Sequence, residues 1–243
     1  MGAKKKVLIT GAAGLVGGIL RLHWGDRYQL RLADICAVED LGAHEEFVET
    51  DIVEYEQVLA ACQGMETVVH LAAYPGDGAE FYDTLLQLNV IGGYNAFQAA
   101  HQAGCQRMVF ASSIDAVMGY SDQAGVEWDR TVYPTNMYGA TKCWGEALGR
   151  VYADQHKLSC ICVRLTNPSF RQDGDWDPDS LMSTTSRRDC AQIFGRCVDV
   201  EDVDFAIVNG ISGHRRPRLD LEISRQVVGY VPQDGTAFPK TRG

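Results

Sequence analysis

Short apolar runs alternate with segments of helical periodicity through most of the chain. Lys6–Thr10 predicts a first strand, and Leu15–Trp24 spaces its apolar residues as a helix does. A second strand is predicted at 28–35 and a third within 46–52, followed by a helix at 54–63. Residues 67–72 form an apolar run that predicts a buried strand, and 81–103 predicts one long helix stopped by Gly104. Arg107–Ser113 predicts a fifth strand, 136–156 a second long helix, and Ser159–Leu165 a sixth strand. Strands alternating with helices in this way predict an α/β fold, a doubly wound parallel sheet of Rossmann type with helices on both faces and right-handed crossovers.

Beyond Leu165 the pattern loosens. Residues 171–179 are polar and Asp-rich, which predicts a loop. A helix is predicted at 188–198, a short strand at 205–208, a short helix at 220–228 and a frayed tail at 235–243. No internal repeat and no long linker interrupts the chain. The expectation is therefore one domain over 1–243, with 166–243 forming a small substrate-binding cap integrated with it.

Composition narrows the function classes. With a net charge of −10, nucleic acid and anionic membrane are not the expected partners. No run of eighteen apolar residues occurs, so no transmembrane helix is predicted. The basic start leads into a short apolar run broken by glycines, which predicts a strand rather than a signal peptide and a cytoplasmic location. Eight cysteines are scattered without a Cys-x-x-Cys pair, so reduced, mostly buried thiols are expected, and no metal site. Cys160 and Cys162 fall on the same side of one strand, which is poor geometry for a disulfide.

The run Thr10, Gly11, Ala12, Ala13, Gly14, Leu15, Val16, Gly17 joins the first strand to the first helix. Glycines here let the backbone turn sharply and approach a pyrophosphate, while the helix N-terminus offers free N–H groups. The spacing differs from the commoner dinucleotide fingerprint, and a turn required only for packing is the bland alternative. Asp34 ends the second strand, where a carboxylate can hold both ribose hydroxyls and repel a 2′-phosphate. NAD is therefore expected over NADP. Asp51, at the end of the third strand, is placed to reach the adenine together with the amide beside it.

Tyr138 and Lys142 stand four residues apart at the start of a predicted helix, on one face. A free phenol has a pKa near ~10, and a nearby ammonium lowers it toward the range of a working base. Ser113 ends the fifth strand, on the side of the sheet where ligands bind. Each feature alone occurs by chance, a helix-surface pair being the bland reading of Tyr138 and Lys142. In this order they predict an oxidoreductase site with Tyr138, Lys142 and Ser113 as catalytic residues. His70, within an apolar strand, is expected to be structural or to lie near the cofactor. Trp176 is a candidate sugar-stacking platform or a loop anchor, and His214, Arg215 and Arg216 read as a solvated basic turn.

These pieces, with His70 to Ala73, Asn89, Val90 and Ser112, resemble the extended short-chain dehydrogenases of the NAD-dependent epimerase/dehydratase family. Stretches in both halves, among them 31–35, 89–95, 109–113, 138–146, 205–211 and 229–234, are similar to the uronate dehydrogenases within it. The resemblance implies that Leu71, Ala72 and Ala73 pass beside the cofactor and that Asn89 supports the active-site helix. It adds Ile52 to the cofactor site and makes Ser113, Ile114, Asp115, Tyr138, Arg171 and Ser180 substrate-binding. It also implies a homo-oligomer. Uronate dehydrogenases carry Asn and His after the active serine, where Ile114 and Asp115 stand here. The position of their carboxylate-binding arginine aligns with Ser180, leaving Arg171, Arg187 or Arg188 as substitutes. The implied activity is NAD-dependent oxidation of a small sugar or sugar acid at its anomeric carbon to a lactone. A sugar-nucleotide epimerase or dehydratase and a non-catalytic dinucleotide-binding regulator are the rival readings.

Overall fold

A computed structural model describes residues 4–76, 78–120, 125–168, 184–214 and 217–235. Seven parallel strands form one sheet: β1 (Lys6–Thr10), β2 (Gln29–Asp34), β3 (Glu45–Glu49), β4 (Thr67–His70), β5 (Arg107–Ser113), β6 (Ser159–Leu165) and β9 (Phe205–Gly210). Their order is β3-β2-β1-β4-β5-β6-β9. The chain leaves β1 toward one edge and returns beside it at β4. That reversal opens a crevice at the carboxyl ends of β1 and β4. A short parallel pair, β7 (Asn167–Pro168) and β8 (Thr184–Thr185), stands apart from the sheet.

The alternation of side chains along each strand divides the interior into two cores. Val7, Ile9, Leu30, Leu32, Val109 and Ile161 pack under α1 (Leu15–Trp24) and α5 (Arg187–Asp199). Leu8, Val68, Met108, Cys160 and Cys162 face the opposite layer of α2 (Tyr55–Cys62), α3 (Gly92–Gln102) and α4 (Met137–His156). Cys160 and Cys162 thus share one face as the sequence predicts, and all eight thiols are unpaired. The last helix, α6 (Glu222–Val228), packs near β9. Among the described residues no helix is long and apolar enough to cross a membrane.

The long helix predicted at 81–103 is two differently wound pieces. Phe81–Ile91 is wound with i→i+5 hydrogen bonds, and α3 follows. At its start the Glu80 carbonyl accepts from both Thr84 and Leu85, each at 3.2 Å. This wider winding belongs to the stretch that carries Asn89, whose buried amide reaches Tyr74 and Thr141. The β4 strand also ends two residues early, at His70 rather than at 72. Leu71 still bonds to Thr10 O at 3.1 Å, and the chain then leaves the sheet to cross Gly11.

The α4 helix lies unusually close to the sheet. A Cβ on Gly145 would fall 2.1 Å from the Phe110 ring, so only glycine permits this approach. Its neighbour Glu146 turns inward to a bidentate pair with Arg164 of β6, at 2.8 Å for both contacts. Ser112 Oγ donates to Glu146 Oε1 at 2.7 Å, and Arg164 Nη1 donates to Trp128 O at 3.0 Å. Both charged side chains are nearly inaccessible, at 1% and 5%. A charge left alone in such a place is costly. Glu146→Ala should lower stability by about 3–5 kcal/mol, read by chemical denaturation. A loss under about 1 kcal/mol would show that Arg164 finds water instead.

Candidate functional site

Two adjoining cavities occupy the crevice. One, of about 710 Å³, is lined by Gly11, Gly14, Leu15, Val16, Asp34, Asp51, Ile52, Leu71, Ala72 and Ala73, all read from the sequence as cofactor residues. The other, of about 410 Å³, is lined by Ser113, Ile114, Asp115, Tyr138 and Lys142. Val16, Leu71, Ala73, Pro75, Asn167 and Pro168 border both, so the two form one continuous groove.

The larger cavity has the form of a dinucleotide cradle. Gly11 has φ +73°, and a Cβ there would lie 2.6 Å from Ala72 N. The α1 helix begins at Gly14 with no side-chain cap and no acid in its first turn. Its first N–H groups are thereby left for an anion, such as a pyrophosphate. Asp34 is held at the strand end by the N–H groups of Ala13 and Cys36, both at 3.0 Å. Each carboxylate oxygen keeps acceptor capacity for a ribose hydroxyl. Asp51 closes the far wall, its Oδ1 accepting from Val53 N at 3.0 Å.

Three predicted cofactor residues stand behind this wall rather than on it. Ala13 orients Asp34. Gly17 packs beneath the turn, where a Cβ would meet Ala12 O at 2.4 Å. Asn89 braces the site from the far side. Its Oδ1 accepts from Tyr74 N at 2.8 Å, and its Nδ2 donates to Thr141 Oγ1 at 3.0 Å.

In the smaller cavity, Tyr138 and Lys142 come from the first turns of α4, and Ser113 from the end of β5. Lys142 Nζ donates to Ala111 O at 2.9 Å and stands 5.4 Å from the centre of the Tyr138 ring. Burial pushes its pKa down to about 8. The Tyr138 phenol does not follow the simple expectation of a lowered pKa. Burial pushes it up to about 12, with the Ser113 hydroxyl acting downward and the Asp115 charge upward. Desolvation of the phenolate thus outweighs its stabilising neighbour.

Asp115 is tied into this cluster. Ser113 Oγ donates to Asp115 Oδ2 at 2.9 Å and accepts from Asp115 N at 3.1 Å. Asn136 Nδ2 donates to Asp115 Oδ1 at 3.0 Å, while its Oδ1 caps α4 by accepting from Gly139 N at 2.7 Å. Asn136 therefore fixes both the helix and the carboxylate. Sequence reasoning assigned it no role, although an Asn before a helix is a legible cap signal. Met118, Thr166, Asn167 and Pro168, which complete the cavity, were also not foreseen. His70 is buried and kept neutral, its pKa pushed down to about 3 by burial and by Lys142. Its Nδ1 meets Thr10 Oγ1 at 2.8 Å, a structural pairing between β4 and β1.

Of the proposed carboxylate ligands, Arg171 and Ser180 lie outside the described residues, as do Trp176, Arg215 and Arg216. Arg187 and Arg188 begin α5 and line neither cavity, and Arg188 is ion-paired with Asp234. Among the described residues no cluster of His, Cys, Asp or Glu could hold a metal ion.

The NAD dependent epimerase/dehydratase family matches residues 7–188. The chain is 34% identical to an NAD-dependent glucose-6-phosphate dehydrogenase of Haloferax volcanii, covering 95% of this chain and 94% of that protein. It is 28% identical to a uronate dehydrogenase of Pseudomonas putida, covering 95% and 85%. Among solved structures, a tyrosine-to-alanine mutant of uronate dehydrogenase from Agrobacterium tumefaciens complexed with NAD superposes with a TM-score of 0.83. That pair is 27% identical, over 96% of this chain and 86% of the other.

NAD is the cofactor, and Gly11 leaves no room for a side chain in the cradle. Gly11→Ala combines an unfavourable φ with a clash against Ala72. NAD affinity, measured by calorimetry, should fall at least about tenfold, which corresponds to ~1.4 kcal/mol. Unchanged affinity in the folded variant would place the cofactor elsewhere.

Proposed function

The chain belongs to the NAD-dependent epimerase/dehydratase family, and from that premise we propose that it oxidises a small free sugar or sugar acid at the anomeric carbon, giving a lactone and NADH. The observation that carries this reading is the convergence of Ser113, Tyr138 and Lys142 on a cavity continuous with the dinucleotide cradle. NAD, when bound, supplies the acceptor for the hydride that leaves the sugar.

The chain's own residues handle the proton and the geometry. Tyr138 is the general base, taking the proton of the anomeric hydroxyl at its phenolic oxygen. Its high pKa makes the phenolate a strong base once formed, and makes turnover increase toward alkaline pH. Ser113 holds the reacting oxygen, and the bonds from Ser113 to Asp115 and from Asp115 to Asn136 fix its position. Lys142 lines the smaller cavity, with its ammonium beside the Tyr138 ring. Leu165, Ile114 and Met118 supply apolar wall beside the reacting centre.

Uronate and glucose 6-phosphate, the substrates named for two of the relatives, are both sugars with an acidic group remote from the anomeric carbon, while a third relative is named for the neutral sugar L-arabinose. Asp115 places negative charge beside Ser113, so an acidic substituent is best accommodated away from that wall. Release of one NADH per sugar oxidised is the test that separates this activity from epimerisation, in which the cofactor is reoxidised within each turnover.

Tyr138→Phe should lower turnover by ~10²–10⁴-fold while NAD still binds, since the ring keeps its place and only the proton acceptor is lost. Retention of more than about a tenth of the activity would remove Tyr138 from the role of base. For the cofactor, Asp34→Ala should cost NAD roughly ten- to a hundredfold in kcat/KM and narrow its advantage over NADP. Equal efficiency with the two cofactors in the unaltered protein would contradict the assignment of Asp34 to the ribose.

A further inference from the structure

We propose that Arg218 recognises the acidic group of the substrate, a carboxylate or a phosphate, at the Met118 side of the cavity. This rests on the dehydrogenase reading above and names the residue that selects within it.

Arg218 lies in the segment between β9 and α6, where Val126 N bonds to Arg218 O at 2.8 Å and the next residue, Leu219, is buried in the core. The backbone is therefore fixed, and the partly buried side chain reaches Met118 from outside the cavity lining. Its Nη1 meets the Met118 sulfur at 3.5 Å, and Met118 lines the cavity with Ser113, Asp115 and Tyr138. Arg218 Nε is buried and has no hydrogen-bond partner among the described residues. A thioether is a weak acceptor, so the buried Nε edge of the guanidinium lacks a strong partner.

The buried guanidinium groups of Arg107 and Arg164 differ. Arg107 donates to Ser159 Oγ and to the carbonyls of Cys197, Val198 and Val200. Arg164 is held by Glu146 and Trp128. Asp220, the acid nearest to Arg218 in sequence, is turned to Glu222 N at 3.0 Å. The fold thus carries a poorly satisfied, planar, permanently charged fork next to the substrate cavity. That chemistry fits an oxyanion with two accessible oxygens. Methionine is the most adaptable of apolar side chains, so Met118 can shift aside as the anion arrives.

The test compares glucuronate, glucose 6-phosphate and glucose as substrates, with NADH formation as readout. The unaltered protein should favour one of the two acids over glucose, and which one identifies the anion as carboxylate or phosphate. In Arg218→Gln the ratio of kcat/KM on that acid to kcat/KM on glucose should fall roughly ten- to a hundredfold. Arg218→Lys, which keeps the charge without the fork, should retain part of the ratio. A ratio that does not move in Arg218→Gln overturns the proposal, whether both activities fall together or neither does. A protein that favours glucose over both acids overturns it as well, leaving the dehydrogenase reading intact. If none of a broad panel of free sugars yields NADH, the dehydrogenase reading itself fails and this proposal falls with it.

Discussion

The site depends on how closely α4 can approach β5. Gly145 allows the helix to rest on the Phe110 ring, and at Gly139 a Cβ would lie 2.5 Å from Asp115 O. A methyl group at either position would push the helix outward and carry Tyr138 and Lys142 away from Ser113. The close contact is then secured in three ways. Asn136 caps the helix and holds Asp115, Lys142 anchors to Ala111 O, and Glu146 meets Ser112 and Arg164. Residues of one helix thus set the distance between the proposed base and the strand end that presents the substrate.

The same packing explains the electrostatics. Lys142 is buried without a carboxylate beside it, so burial lowers its pKa and makes its charge easier to lose. Tyr138 is pushed the other way, because burial and Asp115 both oppose a phenolate. The two groups, nearly matched in proton affinity in water, are thus driven apart, the phenol holding its proton more firmly than the ammonium does. On a chain with a net charge of −10, the cavity lining sets Lys142 against Asp115, with Arg218 in contact with Met118.

Much of this was legible in the chain. The apolar run of Val7, Leu8 and Ile9, buried on both faces of the sheet, and the glycine turn after it locate the crevice, and Tyr138, Lys142 and Ser113 fall where the pattern puts them. What escaped was set by tertiary contacts that periodicity does not encode. The i→i+5 winding of Phe81–Ile91 leaves the apolar pattern of a helix intact while changing its hydrogen-bond register. The direction of the Tyr138 shift depends on how much water its oxygen loses, which no spacing reports. Arg218 stands eighty residues beyond Tyr138 among other basic residues, and only the fold brings it to Met118. Asp115 was conspicuous as a departure from the uronate dehydrogenase pattern, but its hold on Ser113 needed coordinates.

The central claim is that hydride leaves the anomeric carbon of a free sugar and remains on the released cofactor. Incubation with NAD and a sugar deuterated at that carbon, followed by mass spectrometry of the nicotinamide product, tests it directly. The account predicts deuterium in the released NADH. Unlabelled cofactor, or label retained in a sugar of altered stereochemistry, would contradict it.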